Sequence, residues 1–216
     1  MNIFTQLVLI VGRVTPQGVN MLGTGFLVSQ DGLIATTAHN VGGDDKNLVV
    51  LAPHIKDINE YQDTSDTSCA PISVKIQEMD PIKDLAIIKA QIKFTGVIPK
   101  LGSFDDEIVG NDVGIFGFPH CVEGRRALTF QKAEIGAKIL LSTKEIQSKH
   151  AVINIQARPG QSGSLIFSIK NQCIAGVLMG AYAPQGGGGI SLGGINPREL
   201  HQTTHCISAE YIKEMM

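Results

Sequence analysis

Short apolar runs rich in β-branched residues recur along the whole chain, separated by clusters of glycine, proline, aspartate and asparagine. Runs of this length and composition predict strands rather than helices. In the first half they cover 7–14, 25–29, 33–37, 48–52, 72–77 and 85–89. In the second half they cover 112–117, 127–138, 152–156, 164–169, 174–179 and a short stretch near Ile190. Val74-Lys75-Ile76-Gln77 alternates with the period of a half-buried strand, and Ser29-Gln30-Asp31-Gly32 carries an Asp-Gly pair suited to a tight hairpin. The polar stretch 53–70 has no sustained period and reads as an exposed loop, 99–110 as a connector. A short helix is expected over 208–216, with Ser208 as its N-cap. Many short strands at even spacing, with almost no helix, predict an all-β fold of sandwiches or barrels.

Composition narrows the picture. The chain has 216 residues, enough for one large domain or two small ones, and 43% hydrophobic against 18% charged residues is a globular balance. A formal net charge of −2, with Arg125-Arg126 as the main basic cluster, excludes the electrostatic footprint of a nucleic-acid binder. Cys69, Cys121, Cys173 and Cys206 contain no CxxC pair; they permit two disulfides but are read as free thiols, in keeping with a reducing compartment. The apolar run Leu7–Val11 follows no basic segment and is too short for a membrane span. A cytoplasmic rather than secreted chain is therefore expected.

Three segments carry chemistry. Leu33-Ile34-Ala35-Thr36-Thr37-Ala38-His39 places a histidine just past an apolar strand. Asp84-Leu85-Ala86-Ile87-Ile88-Lys89 opens a second apolar strand with an acid. Arg158-Pro159-Gly160-Gln161-Ser162-Gly163-Ser164 sets a serine between two glycines. A serine hydroxyl is a poor nucleophile until an imidazole takes its proton, and the imidazole needs an acid to fix its tautomer. Gly160 and Gly163 let the backbone turn sharply and approach a substrate carbonyl, so the amides of Gly160 and Ser162 are the expected oxyanion donors. Taken singly, Asp84 reads as a strand-start acid, His39 as a satisfied core histidine and Ser162 as a turn residue; the three together, in this order, outweigh those readings.

The segments resemble the Thr-Ala-Ala-His, Asp-Leu-Ala and Gly-x-Ser-Gly motifs of the trypsin-like (chymotrypsin-fold) serine proteases. Among these, the chain is most similar to the bacterial high-temperature-requirement and glutamyl-endopeptidase types. The chain order His, Asp, Ser matches that family and differs from subtilisins and α/β-hydrolases. Val113-Gly114-Ile115-Phe116-Gly117-Phe118-Pro119 and Ile174-Ala175-Gly176-Val177-Leu178-Met179 are similar to the strand that opens the family's second barrel and to its substrate-pairing strand. The resemblance implies two six-stranded antiparallel β-barrels with a short C-terminal helix, divided as 1–99, carrying His39 and Asp84, and 100–216, carrying Ser162 and the specificity pocket. It implies a serine endopeptidase acting through an acyl-enzyme on a protein or peptide substrate; from the residues, no cofactor and no metal are expected. The competing expectation is a catalytically silent module that binds extended peptides along the same strand.

The chain also departs from trypsin. Gln161 stands where trypsin has the aspartate that pairs with a freed N-terminus, so activation by that route is not expected. Gln156 stands where trypsin selects basic residues, and with Val177, Leu178, Met179 and Gly180 as substrate-binding residues a small or medium apolar side chain is expected before the scissile bond. Ser164 replaces a commoner glycine, as in glutamyl endopeptidases. His201 and His205, four apart and followed by Cys206, have a metal-like spacing but no glutamate beside them, and read as a solvated tail segment. Gly186–Gly189 lacks the Lys-Ser/Thr of a phosphate loop and is placed beside the pocket, and His120 is read as an exposed loop residue.

Overall fold

A computed structural model of the protein describes residues 2–182 and 203–216. Strands β1 (Val8–Thr15), β2 (Gly18–Leu27), β3 (Leu33–Thr37), β4 (Leu48–Leu51), β5 (Ile72–Asp80) and β6 (Leu85–Ala90) close into one antiparallel barrel in the order β1-β2-β3-β6-β5-β4. Strands β7 (Asp112–Gly117), β8 (Thr129–Thr143), β9 (Ile146–Ile153), β10 (Leu165–Ser168), β11 (Cys173–Tyr182) and β12 (Thr203–Ser208) close a second, ordered β10-β11-β12-β9-β8-β7. Three helices of one turn complete the described elements: α1 (Phe4–Leu7), α2 (Ala38–Val41) and α3 (Glu210–Glu214). Two 3-10 turns join them, at Phe104–Asp106 and Cys121–Glu123.

Strand burial explains the closure. All four residues of β4 are buried, and β6 is buried except at Lys89, as befits strands walled on both faces by barrel and partner. The apolar interior of the first barrel runs on without a break into Phe116, Leu165, Val177 and Ile207 of the second, so the two barrels share one core across their junction. A smaller cluster around Phe104, Val113, Ile153, Leu178 and Cys206 fills the second barrel. The helix α1 adds to the junction: the Phe4 ring stacks on Phe116 at 3.8 Å between centroids and meets Phe167 edge-on.

Several expectations are corrected here. The segment read as a solvated tail is the strand β12, where Cys206 has no exposed surface and pairs with Leu178 on one side and Ala151 on the other. Ser208 ends that strand instead of capping a helix; its Oγ accepts from Phe104 N at 3.0 Å, and α3 starts later, with Tyr211, Ile212 and Met215 packed inward. The strand β9 begins at Ile146, earlier than the apolar pattern indicated, because its inward positions include Ser148 and His150. The stretch 53–70 is free of regular structure and mostly exposed, although Gln62 makes two hydrogen bonds to the Leu128 backbone. His201, the tetraglycine at 186–189 and Ile190 lie outside the described residues.

Candidate active site at the barrel junction

The strand β3 ends in Thr37, which caps α2, and the first turn of that helix turns His39 out of the barrel. Asp84 sits in the tight turn between β5 and β6 with φ of 52°, a left-handed conformation that aspartate tolerates better than most residues. This turn aims its carboxylate at α2. Oδ2 lies 2.6 Å from His39 Nδ1, and Oδ1 accepts from the His39 main-chain N at 2.9 Å. One carboxylate therefore holds both the ring and the backbone of the histidine. The imidazole is half exposed on the cleft side, and its Nε2 is left 3.5 Å from Thr37 Oγ1, beyond a good hydrogen bond.

Ser162 comes from the other barrel, on the loop that leads into β10. Every carbonyl of that loop from Arg158 to Ser162 is engaged. Arg158 O accepts from Gln161 N at 3.0 Å, Pro159 O from His120 N at 2.6 Å and Gln161 O from Ser164 N at 2.9 Å. Gly160 O accepts from Thr24 Oγ1 at 2.9 Å. Ser162 O accepts from Thr24 N at 2.9 Å and from Asn40 Nδ2 at 2.8 Å. The amides of Gln161 and Gly163 are also taken, the latter by Leu178 O. Gly160 N and Ser162 N make no intramolecular hydrogen bond among the described residues. Main-chain donors without an intramolecular partner are uncommon in a loop whose carbonyls are all engaged, and here they are the two amides expected to meet an oxyanion.

The side chains complete this description. Gln161 is 2% exposed and its Oε1 accepts from Arg158 N at 2.7 Å, so the residue in the place of trypsin's salt-bridging aspartate braces the loop from within. Ser162 Oγ donates to Met179 O at 2.9 Å on β11 and is not hydrogen-bonded to His39. The structure thus joins His39 to Asp84 and brings Ser162 to the same junction, with the Ser–His contact unmade. Of the residues nominated to bind substrate, Met179 and Gly180 flank the serine, while Val177 and Leu178 have no exposed surface and belong to the core. Gln156 is exposed beside Arg158, along a cleft that also contains Pro119 and Phe130. Sequence reasoning missed Asn40 and Thr24, whose partners on the serine loop lie 122 and 136 positions away in the chain. His120 is more enclosed than expected, at 34% of its side-chain surface, in a left-handed turn with Glu123 opposite its ring.

A pair of histidines flanks the site. His150 and His205 share a cleft of about 260 Å³ with Asp84, Met179 and Gly180. His150 Nε2 lies 2.9 Å from Ser148 Oγ, and burial, together with the nearby His205, pushes its pKa down to about 4. The unfolded chain binds this proton near pH 6.5 and the native one does not until about pH 4, so stability is full above pH 6.5 and falls as the pH drops through that window. We expect a loss of about 3 kcal/mol between pH 7 and pH 4 from this group, measured by urea unfolding, and a flatter profile in His150→Gln. Among the described residues no group of three or more histidine, cysteine or acidic side chains could hold a metal ion.

The closed barrels, the His–Asp pair and the serine loop with two free amides define a class, the trypsin-like serine peptidases. Residues 23–176 match the trypsin-like peptidase domain, and the chain belongs to that family. It is 27% identical over 170 residues to a "Probable periplasmic serine endoprotease DegP-like" of Pseudomonas putida strain GB-1, an alignment spanning 77% of this chain and 30% of the relative. The chain therefore spans about a third of the length of the curated relatives it matches. In fold it is similar to the Rv3671c protease of M. tuberculosis in its active form, with a TM-score of 0.69 and 21% identity over 99% of this chain and 80% of the other. It is also similar to the HtrA-type protease AlgW with decapeptide, with a TM-score of 0.64 and 16% identity over 97% of this chain and 62% of that one.

These relatives correct the expected compartment. The DegP-like relatives are named as periplasmic, which points away from the cytoplasm. The four cysteines are indeed free, but three of them are buried, and thiols enclosed singly in the fold say little about the redox poise outside it. No described helix is long and apolar enough to cross a membrane.

Proposed function

We propose that this chain is a serine endopeptidase in which Ser162 attacks the scissile carbonyl, His39 carries the proton and Asp84 orients His39. The observation that carries this reading is the loop 158–162, whose carbonyls are all tied back while the amides of Gly160 and Ser162 stay free beside the serine hydroxyl. A tetrahedral oxyanion would be met there by two preset donors, which is where electrostatic catalysis has its largest single effect. Attack requires Ser162 Oγ to leave Met179 O and turn to His39 Nε2, and apo serine–histidine contacts often tighten only when substrate binds. The acyl-enzyme formed on Ser162 is then hydrolysed by water, with His39 acting first as base and then as acid. The substrate backbone would lie along β11 as an added strand, its carbonyl directed to Gly160 and Ser162.

The resting contact from Ser162 Oγ to Met179 O favours a second reading, a module that binds extended peptides without cleaving them. A fluorophosphonate probe separates the two, because it forms a covalent adduct only with a serine activated by its base and oxyanion donors. The expected result is one adduct per chain, mapped by mass spectrometry to Ser162. An unlabelled protein that still binds extended peptides would establish the silent module.

A further inference from the structure

We propose that Asn40 is the positioning residue that fixes the nucleophile loop against the helix carrying the catalytic base, a role that rests on the triad reading above. Asn40 follows His39 on α2, so whatever holds its side chain also holds the histidine's helix. Its Nδ2 reaches across the barrel junction to Ser162 O at 2.8 Å and back to Thr36 Oγ1 at 3.2 Å, which uses both amide hydrogens. Thr36 Oγ1 in turn donates to Thr24 O at 2.7 Å, and Thr24 binds the same loop twice, through its N to Ser162 O and through its Oγ1 to Gly160 O. Phe118 N donates to that same Thr24 Oγ1 at 3.1 Å.

Asn40 is 4% exposed, and Thr24 and Thr36 are wholly buried, so this is a polar network enclosed in an otherwise apolar junction. Buried polar networks are costly unless fully satisfied, and they then specify one geometry. Space is made for it: a Cβ on Gly23 would fall 2.3 Å from Asn40 Nδ2 and 2.5 Å from its Oδ1. The network runs from the base-bearing helix to both carbonyls that flank the free amides. Asn40 thereby sets the position of Ser162 relative to His39 and, through the loop, the aim of Gly160 N and Ser162 N. Asn40 touches neither substrate nor the reacting atoms in this arrangement; it acts through Ser162.

The test compares wild type with Asn40→Ala, Asn40→Asp and Thr36→Val. The aspartate keeps the shape but sets a carboxylate oxygen against Ser162 O, and the valine removes only the inner tether, so one variant remains informative if the alanine does not fold. Three quantities are read: the rate of fluorophosphonate labelling, the affinity of an extended decapeptide in a Ser162→Ala background, and amide hydrogen exchange across 158–164. For Asn40→Ala we expect labelling slowed about tenfold or more, decapeptide affinity within about twofold, and exchange in 158–164 raised about tenfold with the remaining strands unchanged. A structural role would instead raise exchange evenly through both barrels, and that result overturns the proposal. So does unchanged exchange in 158–164, or an unchanged labelling rate. If the wild type itself resists labelling, the catalytic reading fails on that ground alone, and exchange in 158–164 still decides whether Asn40 holds the loop.

Discussion

Replacing Asp84 with asparagine is expected to lower peptide turnover by about four orders of magnitude with the fold intact. The carboxylate accepts two hydrogen bonds from one residue, from the His39 ring Nδ1 and from its main-chain N. An amide has a single acceptor oxygen. If that oxygen stays on the main-chain N, the NH2 group meets Nδ1, which must then accept, and the ring proton moves to Nε2, where the nucleophile needs a base. If the amide turns over, the main-chain N of His39 meets the NH2 group and loses its partner. The first arrangement takes the base away from Ser162, and the second keeps the ring tautomer at the expense of the main-chain bond that holds the histidine's helix. Folding should survive because asparagine is among the residues most at ease in the left-handed region that Asp84 occupies at φ 52°. Steady-state hydrolysis of a good peptide substrate should show kcat falling far more than KM changes, with thermal unfolding near that of wild type. A variant that keeps more than about a tenth of wild-type kcat would remove Asp84 from the machinery.

The candidate site was legible because its polar residues stand beside apolar strands. Leu33–Thr37 and Asp112–Gly117 were read with the boundaries they have, and the histidine, acid and serine segments each stand out as a polar residue at the mouth of an apolar run. The less legible parts have two causes, polar residues turned inward and a turn built without the usual turn residues. β12 carries Thr204, Cys206 and Ser208 with no exposed surface, so it shows neither a long apolar run nor clean alternation. The β8–β9 hairpin turns at Lys144 and Glu145, both at positive φ, where a sequence reader looks for Asn-Gly. Without that punctuation the ladder from Thr143↔Ile146 to Ile135↔Ile153 could not be anticipated. Asn40 and Thr24 escaped notice for the first reason. Each is a polar residue whose value depends on a partner more than a hundred positions away in the chain, and no local pattern encodes that.

The junction also makes Gly163→Ala the most destabilising glycine-to-alanine change expected among the described residues. Gly163 follows Ser162 at φ 86°, in the left-handed half of the map where an alanine is strained before any contact is counted. A Cβ there would lie 1.9 Å from Thr24 O and 2.7 Å from Thr36 Oγ1. Neither atom can yield cheaply. Thr24 O accepts from Thr36 Oγ1 at 2.7 Å, and Thr24 N is bonded to Ser162 O, so moving Thr24 aside pulls on the loop that the methyl already crowds. Gly163 N is itself held by Leu178 O at 2.7 Å, which blocks the opposite escape. Overpacking and backbone strain each cost about 1–3 kcal/mol, and together they place the expected loss at about 3–5 kcal/mol, a large share of a typical domain's stability. Urea unfolding should show a midpoint shifted by that amount with little change in slope. Because the clash falls between the barrels and not inside either one, near-ultraviolet circular dichroism of the surviving native state should remain close to wild type while fluorophosphonate labelling is lost. A Gly163→Ala protein as stable as its parent would mean that the two barrels can part at Thr24 without cost, and the tight junction drawn from these distances would be wrong.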